Sequence, residues 1–163
     1  MLGGVAHMSL DKPIKDIRVS DVLEMSGKVV EPATVRSDAN LRDAVMAIIK
    51  DSETRKVYVV DDQGKLVGTI PLETLLRHAG YRMGVRETGM TSFLRMLGEM
   101  SNDKVHDIMA KPIRVLKNEL LVNVTKLMVE NHLNDLPVVD DQDKLVQELN
   151  GLDILKLSAK QWE

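Results

Sequence analysis

The residues of this chain that could do chemistry do not build a familiar catalytic centre. Cysteine is absent, which removes disulfides, thiolate zinc sites and thiol nucleophiles together. The four histidines (His7, His78, His106 and His132) include no pair at the i, i+4 spacing of a helical zinc site. The chain also has no G-x-x-x-x-G-K-[ST] phosphate loop and no G-x-S-x-G nucleophile elbow. We therefore do not expect an enzyme.

Two pairs of aspartates, Asp61-Asp62 and Asp140-Asp141, are the obvious candidates for a cation site. Neither follows the order of an EF-hand loop, because Leu66 or Leu145 stands where an oxygen ligand or the turn glycine is needed. Each pair directly follows a run of apolar residues. We interpret both pairs as turns between strands rather than as calcium ligands.

These acidic turns belong to an internal repeat. The segment VVDDQGKLV (59–67) recurs as VVDDQDKLV (138–146), with Asp143 in place of Gly64. The similarity continues upstream of the turn, so chance likeness of two hairpins does not explain it. LRDAVMAII (41–49) parallels LVNVTKLMV (121–129), and PATVR (32–36) parallels PIRVL (112–116).

Hydrophobic periodicity predicts the elements of each copy. The i, i+3, i+4 spacing of apolar residues predicts helices over 41–49 and 121–129. We expect Ser37 or Asp38, and Asn118, to cap these helices. Continuous apolar runs at 57–60 and 136–139 predict buried strands, followed by strands over 65–70 and 144–149. The last helices are predicted over 71–79, with Pro71 in the first turn, and over 151–160.

Each copy therefore has the order strand, helix, strand, strand, helix. One such unit leaves a face of its short sheet uncovered, so two copies are expected to cover each other. We divide the chain into a flexible N-terminal segment (1–13), a first repeat (14–80), a connector with a short helix (81–103) and a second repeat (104–159).

Composition limits the partners of this chain of 163 residues. The net charge is −3 and aromatic residues make up 2%, which argues against nucleic acid as a partner. Hydrophobic residues make up 44%, yet no apolar run reaches the 18 to 20 residues or so of a membrane span. The N-terminus lacks the apolar core of a signal peptide. We expect a cytoplasmic protein that does not enter a membrane.

The repeated unit resembles the cystathionine-β-synthase-type (CBS) domain. The resemblance extends from about Asp16 to Leu157. It rests on an aspartate followed by two apolar residues (21–23 and 107–109), on the V-V-D-D turns, and on the leucines of the final helices. The resemblance implies an α/β (α+β) fold, in which two β-α-β-β-α repeats pack about a pseudo-twofold axis into a Bateman module.

In this family the module binds an adenine nucleotide such as AMP, ADP or ATP, does no chemistry itself, and regulates an attached or partner protein. The resemblance thus implies a non-catalytic sensor that requires no cofactor. We also expect a homodimer formed through helix faces.

The family's site motif, Gly-x-x-Thr/Ser-x-x-Asp with two apolar residues after the glycine, separates the two copies. In the second copy, QELNGLD, Asp153 keeps the aspartate that binds the ribose hydroxyls, and Asn150 takes the hydroxyl position. Gln147 replaces the glycine. In the first copy, GTIPLET, Pro71 and Thr74 replace the hydroxyl residue and the aspartate. The resemblance therefore implies that only the second copy binds a nucleotide.

The resemblance also implies that basic residues of the opposite repeat bind the phosphates. Opposite Asp153 these are Arg55 and Lys56, whereas opposite the first-copy motif they are Asn134 and Asp135. A carboxylate there would repel a phosphate, and an Arg-Lys pair would attract it. For the base, the resemblance suggests a slot lined by Pro112, Ile113, Leu136 and Pro137.

Each of these residues also has an ordinary structural explanation. An aspartate near a helix start interacts favourably with the helix dipole, and Arg55 and Lys56 could be solvated charges. The changes at Gln147, Pro71 and Thr74 moreover favour an alternative function. In that alternative the chain is a protein-interaction module that has lost nucleotide binding.

Overall fold

A computed structural model describes residues 12–27, 31–50, 55–83, 89–160 and 162. Most of the N-terminal segment that we predict to be flexible (1–13), and residues 84–88 of the connector, lie outside the described residues.

The predicted order of elements is present in both copies. Each copy has one three-stranded sheet, in the order β1-β2-β3 or β4-β5-β6, and in the first sheet β1 and β2 are parallel while β2 and β3 are antiparallel. The strands are β1 Thr34–Arg36, β2 Lys56–Val60, β3 Leu66–Pro71, β4 Val115–Leu116, β5 Asp135–Val139 and β6 Leu145–Asn150. The helices are α1 Val19–Ser26, α2 Leu41–Lys50, α3 Leu72–Met83, α4 Met90–Met100, α5 Val105–Ile108, α6 Leu121–Glu130 and α7 Gly151–Ala159.

The chain folds into two compact units that do not follow the repeat boundaries. Unit 1 contains the described residues of Met1–Val30, Arg114–Val138 and Gln147–Glu163, so that α1 packs with the second repeat. Unit 2 contains Glu31–Ile113 and Val139–Val146, so that α5 belongs with the first sheet.

Matching hydrogen bonds within each unit explain this exchange of helices. In unit 1 the Leu121 N–H donates to the carbonyl of Ile17. In unit 2 the Leu41 N–H donates to the carbonyl of Asp103, also at 2.8 Å. The first residues of α2 and α6 are therefore each held by the segment just before the first helix of the other repeat, α5 or α1.

The core of unit 2 is almost entirely aliphatic, as the low aromatic content predicts. Tyr58 on β2 is the exception, with none of its surface exposed. Burial of these side chains supplies the main driving force for folding. The cluster consists of Ala33, Val35, Leu41, Ala44, Val57, Val59, Ile70, Leu75, Met100 and Val105.

The predicted helix caps are wrong. Asn40, rather than Ser37 or Asp38, caps α2: its Oδ1 accepts from the Asp43 N–H at 3.2 Å, and the Asp43 carboxylate accepts from the Asn40 N–H at 3.3 Å. Asn118 does not cap α6, which begins after Leu120 without a side-chain cap. The carbonyl of Asn118 instead accepts from the Arg18 guanidinium.

The predicted place of Pro71 is also wrong. It is the last residue of β3, paired with Lys56, and α3 begins one residue later at Leu72. Proline has no N–H to give to a sheet, but β3 is an edge strand of the β1-β2-β3 sheet, and the end of an edge strand tolerates that loss.

The acidic pairs form turns, as predicted. Asp61 Oδ1 accepts from the N–H groups of Gln63 and Lys65, both at 2.9 Å. Asp140 Oδ1 accepts in the same way from Gln142 at 2.8 Å and Lys144 at 3.0 Å. The one difference between the repeated segments falls where the backbone is left-handed, with φ of 79° at Gly64 and 66° at Asp143.

Asp21 stabilises the start of α1. Its carboxylate accepts from the Arg18 N–H at 2.8 Å and from the Lys12 ammonium at 2.9 Å. These two interactions, the backbone bond first, hold the pKa of Asp21 below its ordinary value of 3.8. The aspartate that opens the first repeat therefore has a structural role in capping α1.

We expect Asp21→Asn to lower the free energy of unfolding by about 1 kcal/mol at pH 7. The pKa of Asp21 is lower in the folded than in the unfolded chain. The contribution of Asp21 to the stability of the folded chain is therefore present above pH 3.8 and is lost as the pH falls through the lower, folded-state pKa. Urea titrations at pH 7 and at about pH 3 should show the variant and the parent converging in acid.

Asp107→Asn is the matched control, because Asp107 holds the same position in α5 but is exposed and contacts His106 at 3.1 Å. We expect a smaller loss of stability for this variant. A stability gap for Asp21→Asn that stays constant between the two pH values would contradict the assignment.

Candidate functional site

Asp153 is the third residue of α7, and this helix begins directly after the strand β6, which ends at Asn150. Its side chain is shielded, with 19% of its surface exposed. Among the described residues its recorded polar contact is with the Lys156 ammonium at 3.9 Å, and Lys156 is itself 64% exposed. This distance is too long for a hydrogen bond. Unit 1 thus holds a half-buried carboxylate whose one polar partner in the described part of the chain is a distant ammonium.

Asn150 is the N-cap of α7. Its Oδ1 accepts from the Leu152 N–H at 2.8 Å, while Nδ2 takes no part in the cap. The next residue, Gly151, donates its N–H to the carbonyl of Asn134 at 2.8 Å. The start of α7 is therefore tied to the residue that precedes β5, and Asp153 lies in the first turn above this attachment.

The first repeat has the same local geometry with different chemistry. Pro71 ends β3 as Asn150 ends β6, and Thr74 is the third residue of α3 as Asp153 is of α7. The Leu72 N–H donates to the carbonyl of Arg55 at 2.8 Å, which matches the bond from Gly151 to Asn134. The residue-by-residue alignment of the two copies is therefore confirmed here, and the first copy has no carboxylate at this point.

The two predicted phosphate-binding cations differ in exposure. Arg55 is exposed and lies just before β2, with its carbonyl held by the start of α3. Lys56, the first residue of β2, is buried, with 8% of its surface exposed. Both residues belong to unit 2, whereas Asp153 belongs to unit 1. Their role toward the same ligand as Asp153 stays a prediction.

The residues predicted to line the base slot lie on two kinds of backbone. Pro112 and Ile113 are half-buried in the segment before β4, outside any helix or strand. Leu136 and Pro137 are buried in β5, and 1% of the surface of Leu136 is exposed. Leu136 is thus a core residue of unit 1, and its contact with a base stays a prediction as well.

Gly68 has a role that the sequence interpretation missed. A Cβ atom at this position would lie 2.8 Å from Cγ and 2.9 Å from Cβ of Met109. Backbone hydrogen bonds between Thr69 and Ala110, at 2.9 and 3.0 Å, hold the two segments at this separation. The glycine of the first-copy motif therefore permits a close approach of β3 to residues 109–110. The glycine in the motif was the available signal.

Within the described ranges, no three His, Cys, Asp or Glu side chains are grouped so that they could hold a metal ion. No helix in the described part of the chain is both long and apolar enough to cross a bilayer.

Comparison with known proteins places these observations in a family. The profile of the CBS domain matches residues 19–81 and 105–160. A CBS domain-containing protein from Thermotoga maritima is 30% identical in sequence, with a TM-score of 0.69, covering 89% of this chain and 96% of that one. A CBS domain protein from Pyrobaculum aerophilum, solved in complex with AMP, is 16% identical, with a TM-score of 0.65, covering 88% and 99%.

A curated relative, the uncharacterized protein MJ1426 of Methanocaldococcus jannaschii, is 28% identical over an alignment of 134 residues that covers 71% of this chain and 79% of that protein. The two profile matches together cover more than half of the chain and coincide with its two repeats. The chain therefore belongs to the CBS-domain family and carries two copies of that domain.

Proposed function

We propose that this chain is a cytoplasmic, non-catalytic regulatory module that binds one adenine nucleotide, AMP, ADP or ATP, at Asp153. The observation that carries the proposal is the contrast between Asp153 and Thr74. The two residues occupy the same position in α7 and α3, and only Asp153 supplies a shielded carboxylate. In response to the nucleotide, the module would regulate an attached or partner protein.

The chemistry of a carboxylate suits the ribose of a nucleotide. Two acceptor oxygens can take hydrogen bonds from two neighbouring hydroxyls, and such charge-assisted bonds are strong in a shielded place. The distant ammonium of Lys156 does not saturate the carboxylate of Asp153. The AMP complex of the relative from Pyrobaculum aerophilum supports the choice of ligand class.

Thermal melting with a panel of nucleotides tests the proposal. AMP, ADP or ATP should raise the melting temperature in proportion to the logarithm of its concentration, with a stabilisation of about 2.7 kcal/mol at 100 times the dissociation constant. GMP at equal concentration controls for binding of any phosphate. The absence of a shift with every adenine nucleotide at millimolar concentration would contradict the proposal.

We further propose that Arg55 and Lys56 bind the phosphates, and that Pro112, Ile113, Leu136 and Pro137 line the base slot, as the family resemblance implies. Arg55 is the more accessible cation of the pair. We expect Arg55→Glu to weaken AMP binding at least about tenfold, because it replaces an attraction by a repulsion, and to change adenosine binding by less than about twofold.

Calorimetric titrations of the Arg55→Glu variant with AMP and adenosine measure this difference. Arg36→Glu is the control, since it makes the same charge change at another exposed arginine of unit 2 that pairs with Asp38. Equal losses of AMP and adenosine affinity in Arg55→Glu would show that Arg55 does not act on the phosphate.

The alternative, an interaction module without a ligand, is favoured by apolar residues that the helices leave exposed. On α2, Met46 and Ile49 are 48% and 67% exposed, and on α3 Leu76 is 50% exposed. Exposed apolar patches on soluble domains often mark contacts with another protein. The nucleotide panel separates the two functions, because a module that has lost its ligand does not respond to any adenine nucleotide.

We propose that the chain forms a homodimer through such helix faces. In unit 1, Val129 on α6 and Leu155 on α7 are 70% and 63% exposed. We expect Val129→Asp to convert the dimer to a monomer in light scattering, because a carboxylate would be buried in the interface. Asn123→Asp, at an exposed polar position of α6, should leave the dimer intact. An unchanged mass for Val129→Asp would exclude this face.

A further inference from the structure

We infer that Asn150 and Gly151 are positioning residues, which place the carboxylate of Asp153 by fixing the start of α7 and act on the ribose through Asp153. This inference rests on the proposed nucleotide function and assigns a role to Asn150 that differs from a direct contact with the phosphate. It is carried by two hydrogen bonds and one close approach within unit 1.

The first step is the cap. The side-chain oxygen of Asn150 is committed to the Leu152 N–H at 2.8 Å. An N-cap residue sets where the helix begins and satisfies a backbone donor that would otherwise lack a partner. Asp153 lies three residues after Asn150, in the first turn of α7. Loss of the cap therefore frays the turn that carries the carboxylate.

The second step is the close approach at Gly151. Its N–H donates to the carbonyl of Asn134 at 2.8 Å, and a Cβ atom at position 151 would lie 3.0 Å from that same oxygen and 3.6 Å from Cε of Met128. A side chain at position 151 would therefore push the start of α7 away from the residue that precedes β5.

The first repeat makes the equivalent hydrogen bond without a glycine. Leu72 makes the equivalent hydrogen bond, to the carbonyl of Arg55 at 2.8 Å, while carrying a full side chain. The bond itself thus does not require glycine. The repeat that keeps the carboxylate is also the repeat with an amide cap and a glycine at its helix start, whereas Pro71 and Leu72 stand in those places in the other.

The two roles of Asn150 predict different ligand dependence. If Asn150 positions Asp153, removal of the Asn150 side chain lowers the affinities for adenosine and AMP by the same factor, because both ligands have the ribose. If its amide donates to the phosphate, its loss weakens AMP alone. Serine caps a helix about as well as asparagine, so Asn150→Ser should restore what Asn150→Ala removes.

Calorimetry of the full chain with adenosine and with AMP tests the inference. We expect Asn150→Ala and Gly151→Ala each to lower the affinities for both ligands about fivefold, with an unchanged ratio of the two affinities. We expect Asn150→Ser to bind both ligands like the parent. Pro71→Ala and Leu72→Ala, at the matched positions of the first repeat, should change neither affinity by more than about twofold. Hydrogen exchange at the Leu152 amide should accelerate in Asn150→Ala and recover in Asn150→Ser.

Three results would overturn the inference. In the first, Asn150→Ala weakens AMP and spares adenosine, which assigns the residue to the phosphate. In the second, Asn150→Ala binds both ligands like the parent while Asp153→Ala loses them, so that only the positioning role fails. In the third, the parent binds neither AMP nor adenosine, and the proposed function fails together with the inference.

Discussion

Asp153→Ala is expected to weaken AMP binding by at least about 100-fold and to abolish the thermal shift that the nucleotide causes. Two hydrogen bonds to a charged acceptor, each worth about 1.5 to 3 kcal/mol, are lost together when the carboxylate is removed. The protein itself should lose at most about 1 kcal/mol of stability, since the carboxylate at the start of α7 contributes little more than its interaction with the helix dipole.

Thr74→Ala is the matched control for Asp153→Ala. Thr74 has the equivalent position in α3, so its replacement tests whether the first repeat takes part in binding. We expect AMP affinity to stay within about twofold of the parent. Loss of binding in Thr74→Ala, with binding retained in Asp153→Ala, would reverse the assignment of the site. Asp153→Asn keeps one acceptor oxygen and should fall between the parent and the alanine variant.

Gly68→Ala is expected to have the largest effect on stability, a loss of about 2 to 3 kcal/mol in the free energy of unfolding. The added methyl group would overlap Cγ and Cβ of Met109. Rotation of the Met109 side chain relieves only part of this overlap, because Cβ moves with the backbone, and that backbone is hydrogen-bonded to Thr69 at Ala110. Urea denaturation measures the loss as a lower midpoint.

Two further variants make the Gly68 prediction specific. Gly98→Ala, at an exposed position of α4 where the new methyl group would meet no other described part of the chain within 4 Å, apart from its chain neighbours and the backbone of its own helix, should instead stabilise the chain by about 1 kcal/mol. Met109→Ala should lower the free energy of unfolding less in the Gly68→Ala variant than in the parent, because it removes Cγ from the overlap. Additive effects of the two substitutions would show that the two residues do not clash.

The repeated elements could be predicted from the sequence because their signals are local. The apolar periodicity of α2 and α6, and the continuous apolar runs of β2 and β5, specify the helices and strands whatever surrounds them. The turns after those strands are equally local, since the aspartate that opens each turn accepts from residues two and four positions later.

The points at which prediction failed depend on distant contacts. Ser37, Asp38 and Asn40 are all good capping residues, and the choice of Asn40 follows from a non-local bridge between Asn40 and Lys104. The bond from the Leu41 N–H to Asp103 fixes the same helix start. Neither contact can be inferred from the sequence around α2, so the local sequence alone predicts the wrong cap.

For the candidate site, the sequence predicted the local positions of the residues in the two repeats, while their binding of a nucleotide stays a prediction. The alignment of Asp153 with Thr74, and of Asn150 with Pro71, follows from the repeat and is confirmed by the element boundaries. The burial of Lys56 could not be predicted, because a lysine at a strand start is normally solvated and the local sequence around β2 gives no sign of what covers it. The cap formed by Asn150 was likewise not expected, since the family resemblance assigned that residue to the ligand.

A calorimetric titration of the parent chain with AMP tests the central claim most directly. The account predicts saturable binding at a stoichiometry of one nucleotide per chain, because only the second repeat has a carboxylate, that of Asp153, at the position that we propose binds the ribose. Two nucleotides per chain would show that the site around Thr74 is also functional, and no heat of binding at millimolar AMP would show that the shielded carboxylate of Asp153 does not serve a nucleotide. Either result would contradict the account.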